Sequence, residues 1–456
     1  MRELQRLAEY AHQLSYDQFP PDVIEAARYA ILDSIGAALG ASRQDEITGY
    51  LDELLRWEAV PERSASIWGT SKRASIQIAT LLNGIMGHAL ELDDVHVRSK
   101  SHVGAVVVPT AWTLTDALGK TMKDLIEAVV VGYEVMGRIG MSINVSSHRV
   151  KGFHATGTMG AFGAAAAAAK LLRLNPEQTI SAFGIAGTQA SGLWAFLAEG
   201  STCKKLHPAR AACNGIVAAL LAKSGMTGPL HILDAKDGGL FNAMADGFDL
   251  SQITDGLGTT WEITMIDKKP YPCCRSTHPE IDAALKLREA IKDIGSIDAI
   301  DVETYEIGVI QCGSRPYPAS PVEARFSIAY CVAAALLDGE IGLTHFTQAC
   351  VDRSDLQALA DKIAIHATEK YTLRYPGQWG CRMTIKLKDR MVCTEIDDAS
   401  GSVNCPMTRT QEKNKFITLA SMMMTREEAF GVAEALLFPD ERRKLPKLYS
   451  EREFTQ

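Results

Sequence analysis

Apolar residues recur at helical spacing along most of the chain, separated by short polar or Pro-containing breaks. This periodicity predicts helices whose inward faces form a large core. The predicted helices cover residues 3–14, 20–40, 44–58, 74–92, 121–141, 161–172, 208–223 and 411–436, with another buried helix starting at GAVVVPTAW.

The pattern changes near Trp261. TTWEITMID predicts a strand, followed by a Pro-constrained loop and a helix opened by Thr277. IDAIDVETYEIGV then alternates like a half-buried strand, VEARFSIAYCVAAALLDG predicts a buried helix, and MTIKLKDRMVCTEI predicts a hairpin around Lys388 and Asp389. We therefore expect a mainly α protein, with an all-helical domain (1–265 plus 401–456) and a smaller inserted α+β domain (266–400).

Composition narrows the classes of function. A hydrophobic content of 46% is ordinary for a globular enzyme, and a formal charge of -8 with no domain-wide basic stripe argues against a nucleic-acid binder. No apolar run is long enough for a membrane span, and the charged N-terminal helix lacks a signal peptide's apolar segment, so we expect a cytoplasmic protein. The ten Cys are scattered without a CxxC pair, which gives no support for a zinc or iron-sulfur site.

An acidic loop follows the predicted helix 74–92. Glu91, Asp93, Asp94 and His96 lie together there, and His102 follows a few residues later. Carboxylates are disfavoured at a helix C-terminus, so another interaction must compensate. Three roles are possible for these carboxylates. They could pair with the neighbouring Arg98 and Lys100, or one of them could orient a catalytic imidazole. They could also bind a metal ion, although their spacing matches no strong metal-ligand motif.

Two further stretches carry titratable groups beside apolar sequence. His154 lies in a Gly-bracketed turn, GFHATGT, before an Ala-rich helix whose small residues predict close helix packing. Lys204 and Lys205 abut apolar residues and could bind a carboxylate, although a KK pair is more often solvated. His278 opens a helix at the border of the α+β domain, where a neutral imidazole or an anionic ligand is favoured.

These stretches resemble the MmgE/PrpD family, which includes 2-methylcitrate dehydratases, cis-aconitate decarboxylases and an iminodisuccinate epimerase. The resemblance spans nearly the whole chain, and its strength lies in the order and spacing of the segments. They are HALELDDVH with SHVGAVVVP, GFHATGT with its Ala-rich helix, CKKLHPARAACNG, KPYPCCRSTHPEIDA and NKFITLAS.

The resemblance implies a helical domain with an α+β lid, a homodimer, no cofactor, and metal-independent chemistry on a small polycarboxylate. Carried over position by position, it gives Asp93, His102, His154, Lys204 and His278 as catalytic residues. Glu91, Asp94, Lys205 and Arg275 are the expected substrate-binding residues. His102 and His154 are the candidates for general acid and base, tuned by Asp93, and His278 would complete the site when the lid closes.

Such groups suit removal of a proton next to a carboxylate, followed by loss of water, loss of carbon dioxide or reprotonation. The resemblance favours a dehydratase of the 2-methylcitrate type. In the decarboxylase branch a Thr commonly follows the paired aspartates, whereas this chain has Val95, and its acidic loop is one residue longer. Decarboxylation of cis-aconitate and epimerisation of a dicarboxylate such as iminodisuccinate are the alternatives. A helical protein that only binds a metabolite is the non-enzymatic alternative.

Overall fold

A computed structural model describes residues 3–313, 317–440 and 442–450, and within these residues the protein is mainly helical. The helices are, in chain order, α1 (Glu3–Gln13), α2 (Pro21–Ala41), α3 (Asp45–Arg56), α4 (Ile76–Ala89), α5 (Gly104–Ala117), α6 (Met122–Ser142), α7 (Val145–Val150), α8 (Ala155–Leu172), α9 (Pro176–Gly187), α10 (Leu206–Lys223), α11 (Leu240–Met244), α12 (His278–Arg288), α13 (Glu306–Gly308), α14 (Pro321–Ala324), α15 (Ile328–Asp338), α16 (Gln348–Val351), α17 (Ser354–Ala360), α18 (Glu369–Thr372), α19 (Arg409–Ala420) and α20 (Arg426–Leu437). The strands are β1 (Ser64–Ser66), β2 (Arg73–Ser75), β3 (Ile297–Thr304), β4 (Ile363–Ala367), β5 (Cys381–Leu387) and β6 (Met391–Ile396).

The chain divides into two compact units. The first, called the helical unit here, comprises the described residues of Met1–Ala195, Cys203–Ile266 and Thr408–Gln456. The second, called the sheet unit, comprises those of Phe196–Thr202 and Asp267–Met407. Residues 1, 2, 441 and 451–456 of the predicted helical domain lie outside the described residues. Within the part of the chain that the structure describes, no helix combines the length and apolar character that crossing a membrane requires.

Helix α8 lies at the centre of the helical unit, packed against α5, α6, α9 and α10. Its residues from Ala155 to Ala169 are all buried, as expected for a helix covered on every side. A Cβ placed on Gly163 would lie 2.6 Å from the Cβ of Met136, and one on Gly215 would lie 2.3 Å from the Cβ of Ala164. The predicted close packing through small residues is therefore confirmed.

The sheet unit is built around a four-stranded sheet in the order β4-β3-β5-β6. Strands β3 and β4 are parallel, while β3 with β5 and β5 with β6 are antiparallel. Helix α12 packs on β5 and β6 and also against α15. The β5–β6 pair, with Lys386 opposite Met391, confirms the predicted hairpin.

Three predicted elements are wrong. The single helix predicted in VEARFSIAYCVAAALLDG is two helices, α14 and α15, because Ser327 caps the start of α15. Residues Glu262–Thr264 form a 3₁₀ turn in place of the expected strand, and Trp261 packs edge-on against Phe19 with ring centroids 5.5 Å apart. The alternation of apolar residues there reflects side chains packed in the helical unit. The predicted helix 411–436 is two helices, because Thr425 ends the break between them and forms a capping box with Glu428.

Candidate active site

The acidic loop, residues 90–103, connects α4 to α5. Helix α4 ends at Ala89, three residues before the predicted end, so the carboxylates follow the helix and do not extend it. Glu91 adopts a left-handed backbone conformation with φ of 54°. Farther along, the backbones of His96 and Ser101 exchange two hydrogen bonds, of 2.8 and 3.3 Å. This closure brings the two ends of the loop together and places Asp93 close to His102.

Asp93 is a fully buried carboxylate shared by two imidazoles. Its Oδ2 lies 2.7 Å from Nδ1 of His88, in the last turn of α4, and 3.1 Å from Nδ1 of His102. His102 Nδ1 also lies 3.0 Å from the carbonyl oxygen of Asp94. An ionised carboxylate only accepts hydrogen bonds, so both imidazoles present Nδ1–H to this side and keep Nε2 for the other.

Asp94 and Thr156 hold the end of the loop in place. One carboxylate oxygen of Asp94 accepts from the backbone N–H of Gly104 at 2.9 Å, and the other accepts from the Tyr133 hydroxyl at 2.6 Å. The Thr156 hydroxyl, in the first turn of α8, accepts from the backbone N–H of His102 at 3.0 Å. Both contacts fix His102 against α5 and α8.

His154 occupies the N-cap position of α8, and its ring is buried. Its Nδ1 lies 3.0 Å from Nδ1 of His207, at the start of α10. Its backbone N–H donates to the carbonyl oxygen of Gly192 at 3.0 Å, which ties this turn to the loop before Trp194. His154 also stacks near His88, with ring centroids 6.1 Å apart. The starts of α8 and α10 therefore meet at one cluster of imidazoles.

The turn requires glycine at position 157. A Cβ there would lie 2.3 Å from the carbonyl oxygen of Ser191 and 3.2 Å from the Cβ of His207. Any larger residue would push the loop and His207 away from His154.

The two adjacent lysines point to different partners. Lys204 Nζ forms an ion pair with Glu91, and both side chains are buried. Lys205 Nζ pairs instead with Glu46 on α3. The structure thus places Lys204 and Glu91 beside the Asp93 cluster, where His88 Nε2 lies 3.9 Å from Glu91 Oε1. Lys205 is held at a separate contact.

Burial and charge determine the protonation of the cluster. Burial raises the pKa of Asp93, but the His88 and His102 imidazoles outweigh it and hold the pKa well below its usual value. Burial lowers the pKa of His88, although Asp93 opposes that shift. Burial, then Lys204 and the neighbouring imidazoles, lower the pKa of His154 well below 6.5, and burial with Lys204 lowers that of His207 to about 4. At neutral pH the site therefore holds an ionised Asp93 together with neutral His88, His154 and His207.

The remaining predicted residues belong to the sheet unit. Arg275 donates from Nε and Nη2 to Oδ2 of buried Asp267, at 3.0 and 2.9 Å. Its Nη1 lies 3.0 Å from Nδ1 of His278, which is buried at the start of α12. That Arg275 and His278 take part in the candidate active site remains a prediction.

Sequence reasoning missed His88 and gave His207 no role. The available signal for His88 was its position in the last turn of a helix, just before the acidic loop. His96, in contrast, belongs to another buried cluster, where its Nε2 lies 3.0 Å from Glu262 and Arg138 pairs with Glu134. Within the described residues, His88, Glu91 and His102 form a group that could hold a metal ion.

Comparisons with known proteins match most of the chain. The profile of the MmgE/PrpD N-terminal domain matches residues 5–253, and that of the MmgE/PrpD C-terminal domain matches residues 271–437. The chain is 29% identical to the cis-aconitate decarboxylase-like protein oryM of Aspergillus oryzae, over 94% of this chain and 93% of the relative. It is 29% identical to the cis-aconitate decarboxylase of Mus musculus, over 91% and 86%. It is 21% identical to the 2-methylcitrate dehydratase of Salmonella typhimurium, over 82% and 79%.

Proposed function

The chain belongs to the MmgE/PrpD family, and from that premise we propose that it is a lyase acting on a small polycarboxylate, with cis-aconitate as substrate and itaconate and carbon dioxide as products. The observation that carries the choice of reaction is the ranking of the relatives. Cis-aconitate decarboxylases match at 27–29% identity over at least 91% of the chain, whereas 2-methylcitrate dehydratases match at 21% over 82%.

This proposal moves away from the dehydratase that the sequence favoured. The preference for a dehydratase used Val95 and the length of the acidic loop. Val95 is buried in the helical unit, with 2% of its surface exposed, so its identity reflects core packing as much as substrate choice. Dehydration of 2-methylcitrate remains the second candidate because dehydratases are among the relatives.

Decarboxylation of cis-aconitate to itaconate can be written with all bonds accounted for. The bond between the methylene carbon and its carboxylate breaks and releases carbon dioxide, and the electron pair forms a new double bond to the central carbon. The electrons of the original double bond move to the far carbon, where the adjacent carboxylate stabilises them as an enediolate. That carbon then takes one proton. The enzyme must therefore bind carboxylates, stabilise the enediolate and supply a proton.

The helical unit has groups for each task. Lys204 and the N-termini of α8 and α10 bring positive charge to the cluster, which favours a bound carboxylate and the enediolate. His102 is the proton donor in this proposal, because its ring is partly exposed while His88 and Asp93 are buried. Asp93 stabilises the imidazolium form of His102 before the proton is delivered.

His154 binds and orients the substrate in this scheme. Its neutral imidazole shares a hydrogen bond with His207, so one ring donates through Nδ1 and the other accepts. The ring that accepts carries its proton on Nε2, where it can donate to a substrate carboxylate. This arrangement adds a donor at the anion site without adding another charge.

Glu91 keeps Lys204 in place before substrate binds. Glu91 neutralises the buried ammonium of Lys204 in the free enzyme, and a substrate carboxylate can take over that role.

We also propose that the chain acts as a homodimer without a cofactor, as the family resemblance implies. Light scattering of the purified protein tests the oligomeric state.

A panel of substrates tests the proposed reaction. Purified protein is incubated separately with cis-aconitate, 2-methylcitrate, citrate and iminodisuccinate, and products are identified by mass spectrometry. Itaconate from cis-aconitate is the expected result. An unsaturated tricarboxylate from 2-methylcitrate, without itaconate from cis-aconitate, would establish the dehydratase instead.

A further inference from the structure

His88 has one ring nitrogen with an unusual environment. Its Nδ1 donates to Asp93 at 2.7 Å, so its Nε2 carries a lone pair. That Nε2 is buried and has no hydrogen-bond partner among the residues that the structure describes. Buried polar atoms are normally satisfied, so an unpartnered one calls for a ligand.

His102 has the same orientation relative to Asp93. Its Nδ1 faces the Asp93 carboxylate and the Asp94 carbonyl oxygen, so its Nε2 also carries the lone pair. The Glu91 carboxylate lies next to His88 Nε2, at 3.9 Å. One ligand atom from each of His88, Glu91 and His102 falls within 4.8 Å of the others.

We propose that His88, Glu91 and His102 bind one divalent transition-metal ion, such as Zn²⁺ or Co²⁺, and that the bound ion inhibits the enzyme. The inhibition rests on the proposed function, because the ion would take His102 and Glu91 away from the reaction, whereas the binding itself does not depend on it. Two imidazoles with one carboxylate and an open fourth position suit zinc and cobalt, while Mg²⁺ and Ca²⁺ prefer oxygen ligands.

The three ligand atoms must approach one another by only about 1–1.5 Å to hold an ion, starting from separations of up to 4.8 Å. Ligands about 2.1 Å from a tetrahedral ion lie about 3.4 Å from one another. Side-chain rotation of Glu91, which lies in the loop after α4, can supply most of that approach. Asp93 already provides the carboxylate that orients metal-bound histidines in many sites, since it accepts from Nδ1 of both rings.

Metal binding must displace Lys204 from Glu91. The ammonium and the metal ion compete for the same carboxylate, so the ion pair limits the affinity. A substrate carboxylate that pairs with Lys204 would release Glu91, but the substrate would then occupy the same space as the ion. The expected inhibition is therefore competitive with the substrate.

Binding is measured on chelator-treated protein by titration with Co²⁺, followed by absorption, and with Zn²⁺, followed by calorimetry. The matched variants are Glu91→Gln and His102→Asn, and the control is His366→Asn, which alters an exposed His366–Asp301 pair at 3.0 Å. Exposed thiols, such as Cys203 and Cys393, are distinguished by the thiolate charge-transfer band of Co²⁺. Thermal unfolding shows whether each variant is folded, and if Glu91→Gln is not, His102→Asn decides.

We expect one Co²⁺ per chain without a thiolate band. Removing a residue that only hydrogen-bonds to a metal ligand weakens metal binding about 10–100-fold. Each variant that removes a ligand itself should therefore lose more than 10-fold in Co²⁺ affinity, and His366→Asn should bind Co²⁺ normally. Turnover should fall over the same metal concentrations and recover with chelator. Absence of binding, a thiolate band, or affinity unchanged in both ligand variants would overturn the site. Binding without inhibition would overturn the inhibitory role, and binding in a protein that turns over none of the four acids would leave the site and refute the proposed lyase.

Discussion

Replacing Asp93 by Asn tests the central carboxylate of the site. The change keeps the size of the side chain but removes the charge that contacts both His88 and His102, at 2.7 and 3.1 Å. Both imidazoles contact the same carboxylate oxygen, Oδ2, and an Asn oxygen in its place has two lone pairs and can accept from both. His102 also keeps the Asp94 carbonyl oxygen as an acceptor, so the change removes the negative charge beside both rings and leaves their acceptors in place.

The expected effect on rate follows from the lost support for the imidazolium form. General acid catalysis contributes about 10²–10⁴-fold, which corresponds to about 2.7–5.4 kcal/mol of transition-state stabilisation. We expect kcat for itaconate formation to fall by that factor, with KM changed much less because Lys204 still binds the carboxylate. Each of the two hydrogen bonds becomes neutral and loses about 1–1.5 kcal/mol, so the free energy of unfolding should also fall by about 2–3 kcal/mol.

A matched control separates the rate effect from the stability effect. Glu262 is also a buried carboxylate that contacts an imidazole, with His96 Nε2 at 3.0 Å, but it lies outside the proposed site. Glu262→Gln should therefore cost similar stability and leave kcat within a few-fold of the wild-type value. The assay is steady-state itaconate formation with urea unfolding of the same samples. Equal losses of kcat in the two variants, or normal kcat in Asp93→Asn, would refute the role of Asp93.

The remaining predictions concern other parts of the site. His154→Ala should abolish turnover while the melting temperature stays within a few degrees, and a collapsed fold in circular dichroism would indicate a purely structural His154. Gly157→Ala should lower kcat/KM by about 10²-fold, because its Cβ would meet the Ser191 carbonyl oxygen and displace His207; Gly431→Ala, with no atom within 4 Å of the added Cβ, is the neutral control. Burial lowers the pKa of His148 from 6.5 to about 4. As the pH falls, His148 is therefore protonated in the unfolded chain before it is protonated in the folded protein. The free energy of unfolding should fall by about 3 kcal/mol between pH 6.5 and pH 4. In urea unfolding at each pH, His148→Gln should show a smaller fall. Chelator treatment should leave kcat unchanged, and a loss restored by added metal would contradict metal-independent catalysis.

Much of the helical unit could be predicted because its helices carry strong local signals. The helices α1 to α3 and α10 match their predicted spans closely, and the Ala-rich sequence of α8 predicted its close packing. The error at Trp261 arose because an alternating apolar pattern can also come from side chains packed onto neighbouring helices. Phe19 and Trp261, whose packing decides that segment, are far apart in the sequence.

The candidate site was only partly predictable for a related reason. The sequence predicted Asp93, His102 and His154 as site residues. The contacts around them depend on the fold of the acidic loop, which the sequence did not predict. Lys204 and Lys205 are neighbours with the same chemistry, yet their partners, Glu91 and Glu46, lie on different elements more than a hundred residues away. Local sequence cannot distinguish them. His88 was missed because nothing in the motif HALELDDVH indicates which imidazole Asp93 accepts from.

The most direct test of the account is proton NMR of the wild-type protein with cis-aconitate in deuterated water. The proposed route delivers one solvent proton to the far carbon, so we predict itaconate with a single deuterium in its saturated methylene group and none at the vinyl carbon. Itaconate deuterated at the vinyl carbon would contradict the proposed electron movement. No itaconate, with 2-methylcitrate dehydrated under the same conditions, would contradict the decarboxylase and leave the dehydratase as the function of this site.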